Sequence, residues 1–157
     1  MRQRTLPLPA VLAGVLAGLA GAVSIDAYLI VVLVLGFHSI DLAGFYQFIA
    51  SGAIGQAAYA GPGGAVLGVA LHLIVSLAWG VGYAYVAART PQVVERPLVS
   101  GITFGIVVML AMQLVEVAGG IYRQPDTFSL ANALVANVLF FGIPVAYIVR
   151  WKLNQAR

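Results

Sequence analysis

The sequence contains no cysteine and very little charge, and both absences exclude classes of protein. Without cysteine there is no disulfide framework, no thiolate metal site and no lipid anchor on a thiol. Charged residues make up 8% of the 157 residues, against about 25% in an ordinary soluble domain. A disordered chain needs high charge and low hydrophobicity, so disorder is excluded as well.

Apolar residues take the place of the missing charge. They make up 62% of the chain, and the mean hydropathy is +1.00. A chain of about one domain's length has too much surface to hide that many apolar side chains inside itself. The composition therefore predicts an integral membrane protein, for which lipid is the solvent. The isoelectric point near 9.5 does not indicate nucleic-acid binding, because the basic residues are scattered and form no stripe.

Four apolar runs are long enough to cross a bilayer, for which a helix needs about 20 residues. Backbone groups in lipid must be satisfied within the segment, so runs of this length are helices and not barrel strands. The sequence predicts an all-α fold, a four-helix transmembrane bundle. It forms a single integral membrane domain over residues 1–157, with spans at about 8–35, 65–88, 98–118 and 130–151.

The basic residues predict which side of the membrane each end faces. Seven of the eight lie on one side of the predicted bundle, namely Arg2, Arg4, Arg89, Arg96, Arg150, Lys152 and Arg157. Only Arg123 lies on the opposite side. Because short cytoplasmic loops carry an excess of Lys and Arg, we expect both termini to be cytoplasmic.

The first span has a competing interpretation as a cleaved signal peptide. Two arginines precede an apolar stretch, and Ala20-Gly21-Ala22 resembles a cleavage site. The apolar run nevertheless continues without a break to Leu35, which favours an uncleaved span.

The first outer loop is predicted to contain an amphipathic helix over about 39–59. Its apolar residues recur with helical spacing, and Ser39 fits the N-cap position, with Asp41 in the first turn. A fifth span here would move the following basic residues to the outside and destroy the charge asymmetry. We therefore expect this helix to lie at, or dip into, the outer interface and to end at Gly61-Pro62-Gly63-Gly64.

Glycines four residues apart occur in three of the four spans. Such pairs let helix backbones approach closely, which matters where lipid removes the hydrophobic drive for helix association. The predicted helix-packing residues are Gly14, Gly18, Gly64, Gly68, Gly101 and Gly105.

The two halves of the chain resemble each other weakly, which indicates a duplicated helical hairpin. The aligned pairs are Gly14 and Gly101, Gly18 and Gly105, Asp26 and Gln113, and Gly80 and Gly142. The offset is 87 residues in the first helix of each half and 62 in the second. The difference is close to the extra length of the first outer loop. Chance similarity between apolar segments is the alternative.

Polar side chains occur in all four spans at a similar depth, counted at about 1.5 Å per residue. The candidates for a pocket, a ligand site or proton transfer are Asp26, His72, Ser76, Gln113, Glu116 and Asn137. A carboxylate at the bilayer centre costs about 2.5–3.5 kcal/mol, so Asp26 needs a partner, and His72 is the expected one. The sequence predicts a polar pocket that opens toward the outer face beneath the 39–59 helix.

A structural interpretation of these polar residues stays open. Asn, Gln, Ser and His side chains commonly join membrane helices through hydrogen bonds worth about 0.6 kcal/mol each. Glu116 is also near enough to the outer interface to be solvated. Interhelical bonding alone therefore accounts for several of these residues, and for His72 in particular.

No cofactor and no metal site is implied by the sequence. Nucleotide-binding and hydrolase motifs are absent, so no catalytic residue is assigned. Two histidines without cysteine make a weak metal site. A haem between His38 and His72 would require the two rings to meet, and the sequence does not favour it.

The order of elements carries a family resemblance. Leu71-His72 opens the second span, which closes with Gly80-x-Gly82-Tyr83; Gly101-x-x-x-Gly105 lies in the third and Phe141-Gly142 in the fourth. In these features the chain resembles small four-span bacterial inner-membrane proteins of the YagU-like kind, over most of residues 11–151. The resemblance implies a bacterial cytoplasmic membrane, and it brings no established activity.

The expected function is that of a non-enzymatic accessory or binding subunit. Its pocket would hold a lipid, a quinone or a partner helix, and its partners would be the bilayer and a membrane protein or a second copy of this chain. The alternative is a small oligomeric transporter that is linked to protons through Asp26 and His72. An enzyme acting on a lipid-like substrate comes third, since these residues and Glu116 have acid–base chemistry.

Overall fold

The computed structural model describes residues 8–35 and 41–155 of the chain, and this part is 90% helical without strands. The helices are α1 (Leu8–Val34), α2 (Leu42–Ile54), α3 (Pro62–Arg89), α4 (Pro91–Glu95), α5 (Pro97–Ala118), α6 (Thr127–Val135) and α7 (Ile143–Gln155). Four helical segments are long and apolar enough to cross a membrane: α1, α3, α5 and the continuous run Thr127–Gln155. The predicted all-α fold with four apolar helices of spanning length is therefore confirmed.

Apolar side chains cover the outside of the bundle, and small ones fill its inside. Val66 and Leu114 are 71% and 70% exposed, whereas Ala17 and Ala84 are fully buried. In water such a surface would be an aggregation hazard. With lipid around it the arrangement is favourable, because small interior residues let the helix backbones pack closely.

The helix boundaries depend on local signals, such as proline, that the length of an apolar run does not show. Proline stands at the first position of α3, α4 and α5, where its missing N–H is not needed. The second span therefore begins at Pro62, three residues before the predicted start. The short α4 between α3 and α5 was not predicted at all.

The helix in the first loop, α2, is shorter than the predicted 39–59 segment. The Asp41 side chain accepts a hydrogen bond from the Gly44 backbone N–H at 2.7 Å, so Asp41 is the N-cap of α2. The predicted cap, Ser39, lies outside the described residues. The α-helix ends at Gly55, which has a φ of 60° that favours glycine. A 3₁₀ turn, Gly55–Tyr59, follows before α3 begins.

Glycines bring α1 and α3 into direct backbone contact. A Cβ on Gly80 would meet backbone atoms of Gly14 and Gly18 at less than 3.0 Å, which real Cβ atoms essentially never show. A Cβ on Gly14 would in turn meet Val81, and one on Gly18 would meet Ser76. Any larger residue at one of these three glycines would therefore collide with the backbone of the facing helix.

The second hairpin repeats this contact. In this hairpin, formed by α5 and the fourth span, Gly142 lies against the backbone of Gly101 and Gly105. In the first hairpin, formed by α1 and α3, Gly80 lies in the same way against Gly14 and Gly18. Further along, Gly105 faces Asn137 and Val138 of the fourth span. These are the residue equivalences that a duplicated hairpin predicts.

The two hairpins differ by one residue in the fourth span. Ser76 and Asn137 occupy equivalent places at an offset of 61, whereas Gly80 and Gly142 do so at an offset of 62. The extra residue falls within a π-helix over Ala136–Gly142, whose wide turns accommodate one more residue than α-helical turns. The fourth span, predicted as one helix at about 130–151, is therefore a continuous helical run with a π-helical segment between two α-helical ones.

A proline explains why the irregularity lies here. Pro144 stands in the second position of α7 and cannot donate to the carbonyl of residue 140, which its ring would crowd in a regular α-helix. The π-helix ends directly before this point, and such widened turns restore backbone hydrogen bonds around prolines in membrane helices.

Candidate functional site

A cavity of about 600 Å³ lies between the helices at the end of the bundle that carries α2 and the α5–α6 loop. Its wall includes residues of all four spans, of α2 and of residues 122–126 in the loop. This volume is within the range of about 300–1,000 Å³ that is usual for small-molecule sites. The wall is mostly apolar, and the polar side chains that line it include His72, Ser76, Gln113, Glu116, Asn132 and Asn137.

Helix α2 covers this cavity at one end of the bundle. Its Phe45, Phe48 and Ile49 line the cavity. The backbone of Tyr46 packs on Gly68 of α3, and Ala58, in the 3₁₀ turn, packs on Gly64.

Two further contacts fix α2 in this position. The Gln47 amide donates a hydrogen bond of 3.2 Å to the Gly61 carbonyl at the start of α3. At the other end, Gly52 lies against Gly119 and Ile121, just beyond the end of α5. The covering helix is thus attached to both hairpins.

Asp26 and His72 face each other between α1 and α3. The His72 Nε2 and Asp26 Oδ1 atoms are 3.2 Å apart, and their side chains are 15% and 27% exposed. Both atoms are inaccessible to solvent, and neither has a hydrogen bond of good geometry. The pair is therefore held by charge when His72 is protonated, since its hydrogen-bond alignment is poor.

Tyr46 connects the covering helix to this pair. Its side chain is buried, and burial raises the pKa of the hydroxyl, as does the neighbouring Asp26 carboxylate. The phenol therefore stays protonated next to that carboxylate. Its ring also packs edge-on against His72, with the ring centroids 6.1 Å apart.

Asn132 and Asn137 use part of their hydrogen-bonding capacity within the bundle. The Tyr28 hydroxyl of α1 donates to Asn132 Oδ1 at 2.6 Å, and the Asn137 amide donates to the Ala133 carbonyl at 2.9 Å. Both residues line the same cavity, and the Asn132 Nδ2 group and the Asn137 Oδ1 atom have no hydrogen bond to another described residue.

The structure brings five of the six predicted pocket residues onto one cavity wall, namely His72, Ser76, Gln113, Glu116 and Asn137. Asp26 is not on that wall and lies behind His72, which it contacts. All six predicted packing glycines lie against backbone or side chains of a neighbouring element. Whether the five cavity residues bind a ligand stays a prediction.

Sequence reasoning missed the aromatic contribution to the site. Tyr46 is one of the residues with helical spacing in the predicted 39–59 helix, and neither Tyr46 nor Tyr28 is among the predicted pocket residues. The ring of Tyr28 also stacks on Phe140 at 4.3 Å between centroids. The signal in the sequence is the position of these tyrosines inside apolar runs that also contain acids and amides. A buried hydroxyl needs a polar partner, so such a tyrosine indicates a nearby acid or amide.

Within the described ranges, no three metal-binding side chains come together. His38, which a haem shared with His72 would need, lies outside the described residues.

Comparison with protein-family models, with curated proteins and with solved structures finds no match for this chain. The resemblance to YagU-like proteins is therefore untested.

Proposed function

We propose that this protein is a non-enzymatic, multi-pass membrane protein that binds an amphiphile, a lipid or a quinone, in the cavity beneath α2. The observation that carries the proposal is the cavity itself. It measures about 600 Å³ and combines apolar walls with a few polar groups from several helices. Sites for small molecules in proteins have this composition.

The aromatic and thioether side chains of the wall suit an apolar tail. Phe48, Trp79 and Phe141 line the cavity together with Met109 and Met112. Methionine is flexible and polarizable, so it adapts to tails of different shape. The polar groups would bind the head.

The proposed orientation places the cavity in the outer leaflet of a bacterial inner membrane. Arg89, Arg96, Arg150 and Lys152 stand at the opposite end of the bundle from α2, and the positive-inside rule would make that end cytoplasmic. Two of these cations lie over aromatic rings, Arg89 on Tyr85 and Lys152 on Trp151, as expected for anchors at an interface. In this orientation α2 is the interfacial helix.

Ligand binding is testable by fluorescence, because the chain has only two tryptophans. Trp79 lines the cavity, whereas Trp151 is 56% exposed on α7. In the Trp151→Phe variant, held in nonionic detergent micelles, titration with a brominated-chain phospholipid or a short-chain quinone should quench Trp79 and saturate near one ligand per protein.

The Trp79→Phe variant is the matched control. Its remaining Trp151 should show only the gradual, unsaturated quenching that partition into the micelle produces. Equal and unsaturated quenching in both variants would rule out binding in the cavity and would overturn the proposal.

A second candidate, a proton-linked transporter, is favoured by one specific observation. Asp26 and His72 are two ionisable side chains in contact, with Oδ1 and Nε2 3.2 Å apart, beside a cavity that small solutes can occupy. Paired ionisable residues inside membrane bundles often mark proton pathways.

The transporter is tested by the Asp26→Asn variant in liposomes that enclose a pH-sensitive dye. A panel of amino acids, sugars and organic cations is added outside, and the wild-type protein is expected to give proton flux with at least one solute. Asp26→Asn should abolish that flux with folding intact, while the control Glu95→Gln, at the opposite end of the bundle, should retain it. Absence of flux with wild-type protein removes this candidate.

A further inference from the structure

The charged residues on the cavity wall suggest which amphiphile fits it, if the proposed function holds. Three such residues besides His72 line the cavity: Glu116, Arg123 and Asp126. The Asp126 carboxylate caps α6 by accepting a hydrogen bond of 2.7 Å from the Ser129 backbone N–H. Asp126 therefore has a structural role as a helix cap. The side chains of Glu116 and Arg123 make no hydrogen bond or ion pair with another described residue.

Glu116 and Arg123 are near neighbours along the chain. Glu116 is half-buried in the last turns of α5, and its backbone carbonyl accepts hydrogen bonds from the N–H groups of Ile121 and Tyr122 at 3.0 and 3.1 Å. The chain therefore turns back over Glu116, and Arg123 follows directly after this turn. Among the described residues, no ion pair joins the two side chains.

The wall below these charges is mostly apolar. Met112 and Met109 follow on α5 one and two turns from Glu116 toward the interior, and Met109 lies about 10 Å deeper at 1.5 Å per residue. Trp79 and Phe141 line the cavity as well. The site thus has two opposite charges at one end and a mostly apolar wall along the remainder, where uncharged polar side chains such as Ser76 and Asn137 also line the cavity.

We propose that the cavity binds a phospholipid with a zwitterionic headgroup. Its ammonium group would lie at Glu116, its phosphate at Arg123, and one acyl chain would extend along the apolar wall beneath α2. An ammonium–carboxylate contact and an arginine–phosphate contact are both charge-assisted hydrogen bonds, which are stronger than neutral ones. Arginine presents several donors in a planar fork, which suits phosphate oxygens.

Other amphiphiles complement these charges less well. A quinone is neutral and would leave the half-buried Glu116 carboxylate without a counter-charge, which is costly. An anionic phospholipid would place its excess negative charge next to Glu116. A lipophilic cation would have no group to contact Arg123.

The test uses the Trp151→Phe protein in nonionic detergent micelles, so that Trp79 reports on the cavity. Brominated-chain phosphatidylethanolamine should quench Trp79 with saturation. Brominated-chain phosphatidylglycerol and a short-chain quinone should require concentrations about tenfold higher, a ratio that corresponds to 1.4 kcal/mol. The bromine atoms report the position of the acyl chain, and the headgroup is the only difference between the two lipids.

Variants then assign each charge. Glu116→Gln and Arg123→Gln should each weaken phosphatidylethanolamine binding by about tenfold, since each removes one charge-assisted contact. Glu116→Gln should also bring phosphatidylglycerol binding closer to that of phosphatidylethanolamine. Matched controls are Glu95→Gln and Arg96→Gln, which change the same residue types at the other end of the bundle and should leave binding unchanged.

The outcomes separate this inference from the proposed function. Saturable quenching that is equal for both phospholipids, or stronger for the quinone, overturns the headgroup assignment and leaves amphiphile binding intact. Quenching without saturation by every ligand overturns both. Preference for phosphatidylethanolamine that survives Glu116→Gln and Arg123→Gln also contradicts the assignment, because another group would then recognise the headgroup.

Discussion

Replacing Gly80 with leucine is expected to destabilise the bundle by about 3 kcal/mol or more, the upper end of the usual cost of overpacking. A Cβ at this position would lie within 3.0 Å of backbone atoms of Gly14 and Gly18. Backbone cannot move aside as the end of a flexible side chain can, so α1 and α3 would have to separate. Their separation would also disturb the contact between Asp26 and His72.

Gly82→Leu is the matched control for this substitution. Gly82 lies on the same helix and is exposed, and a Cβ there would meet nothing within 4 Å. The measurement is unfolding in mixed micelles, followed by circular dichroism as the fraction of dodecyl sulfate is raised. Equal stability of the two leucine variants would contradict the close packing of α1 on α3.

The spans were predictable because their length and hydrophobicity are set by the bilayer, not by tertiary contacts. Backbone groups in lipid must bond within their own segment, so an apolar run of sufficient length determines a helix by itself. The role of the glycine pairs in helix packing was also predictable, because backbone contact between helices requires small residues at a fixed spacing. The weak similarity between the two halves of the chain predicted the equivalence of Gly80 and Gly142, which lie in matching contacts.

The irregular parts of the chain were not predictable from apolar patterning. The π-helix over Ala136–Gly142 adds one residue to a segment that is apolar throughout, so the hydrophobic run is unchanged by it. Only Pro144 gave a local signal. The cap at Asp41 in place of Ser39 depends on one hydrogen bond, to Gly44, and both residues are good N-caps by type.

The depth of the polar residues along the spans was predictable from the sequence, but the direction in which each side chain points was not. Counting residues along each span placed Asp26 and His72 at one level, and the two side chains are in contact. The count did not reveal that Asp26 lies behind His72, away from the cavity wall. That difference depends on how each helix is rotated about its axis, which is set by contacts with its neighbours.

The second large effect is expected when Asp26 is replaced by leucine. This change removes the carboxylate next to the Tyr46 hydroxyl and the counter-charge of His72. Breaking a fully buried ion pair costs about 3–5 kcal/mol, but Asp26 is 27% exposed. We therefore expect a loss of about 2 kcal/mol, near the middle of the range for an unsatisfied buried group.

A double-mutant cycle decides whether the pair is ionic or only one of the neutral hydrogen bonds that commonly join membrane helices. If it is ionic, the variant with both Asp26→Leu and His72→Leu should be more stable than Asp26→Leu alone, with a coupling energy above about 1 kcal/mol, because no unpaired charge remains. Neutral interhelical bonds couple by only about 0.6 kcal/mol on average. A cycle of Tyr28→Phe and Asn132→Ala, which removes the neutral bond between α1 and α6, supplies that reference in the same protein. Equal coupling in the two cycles would assign Asp26 and His72 to helix packing, and the proton-linked candidate would lose the observation that favours it.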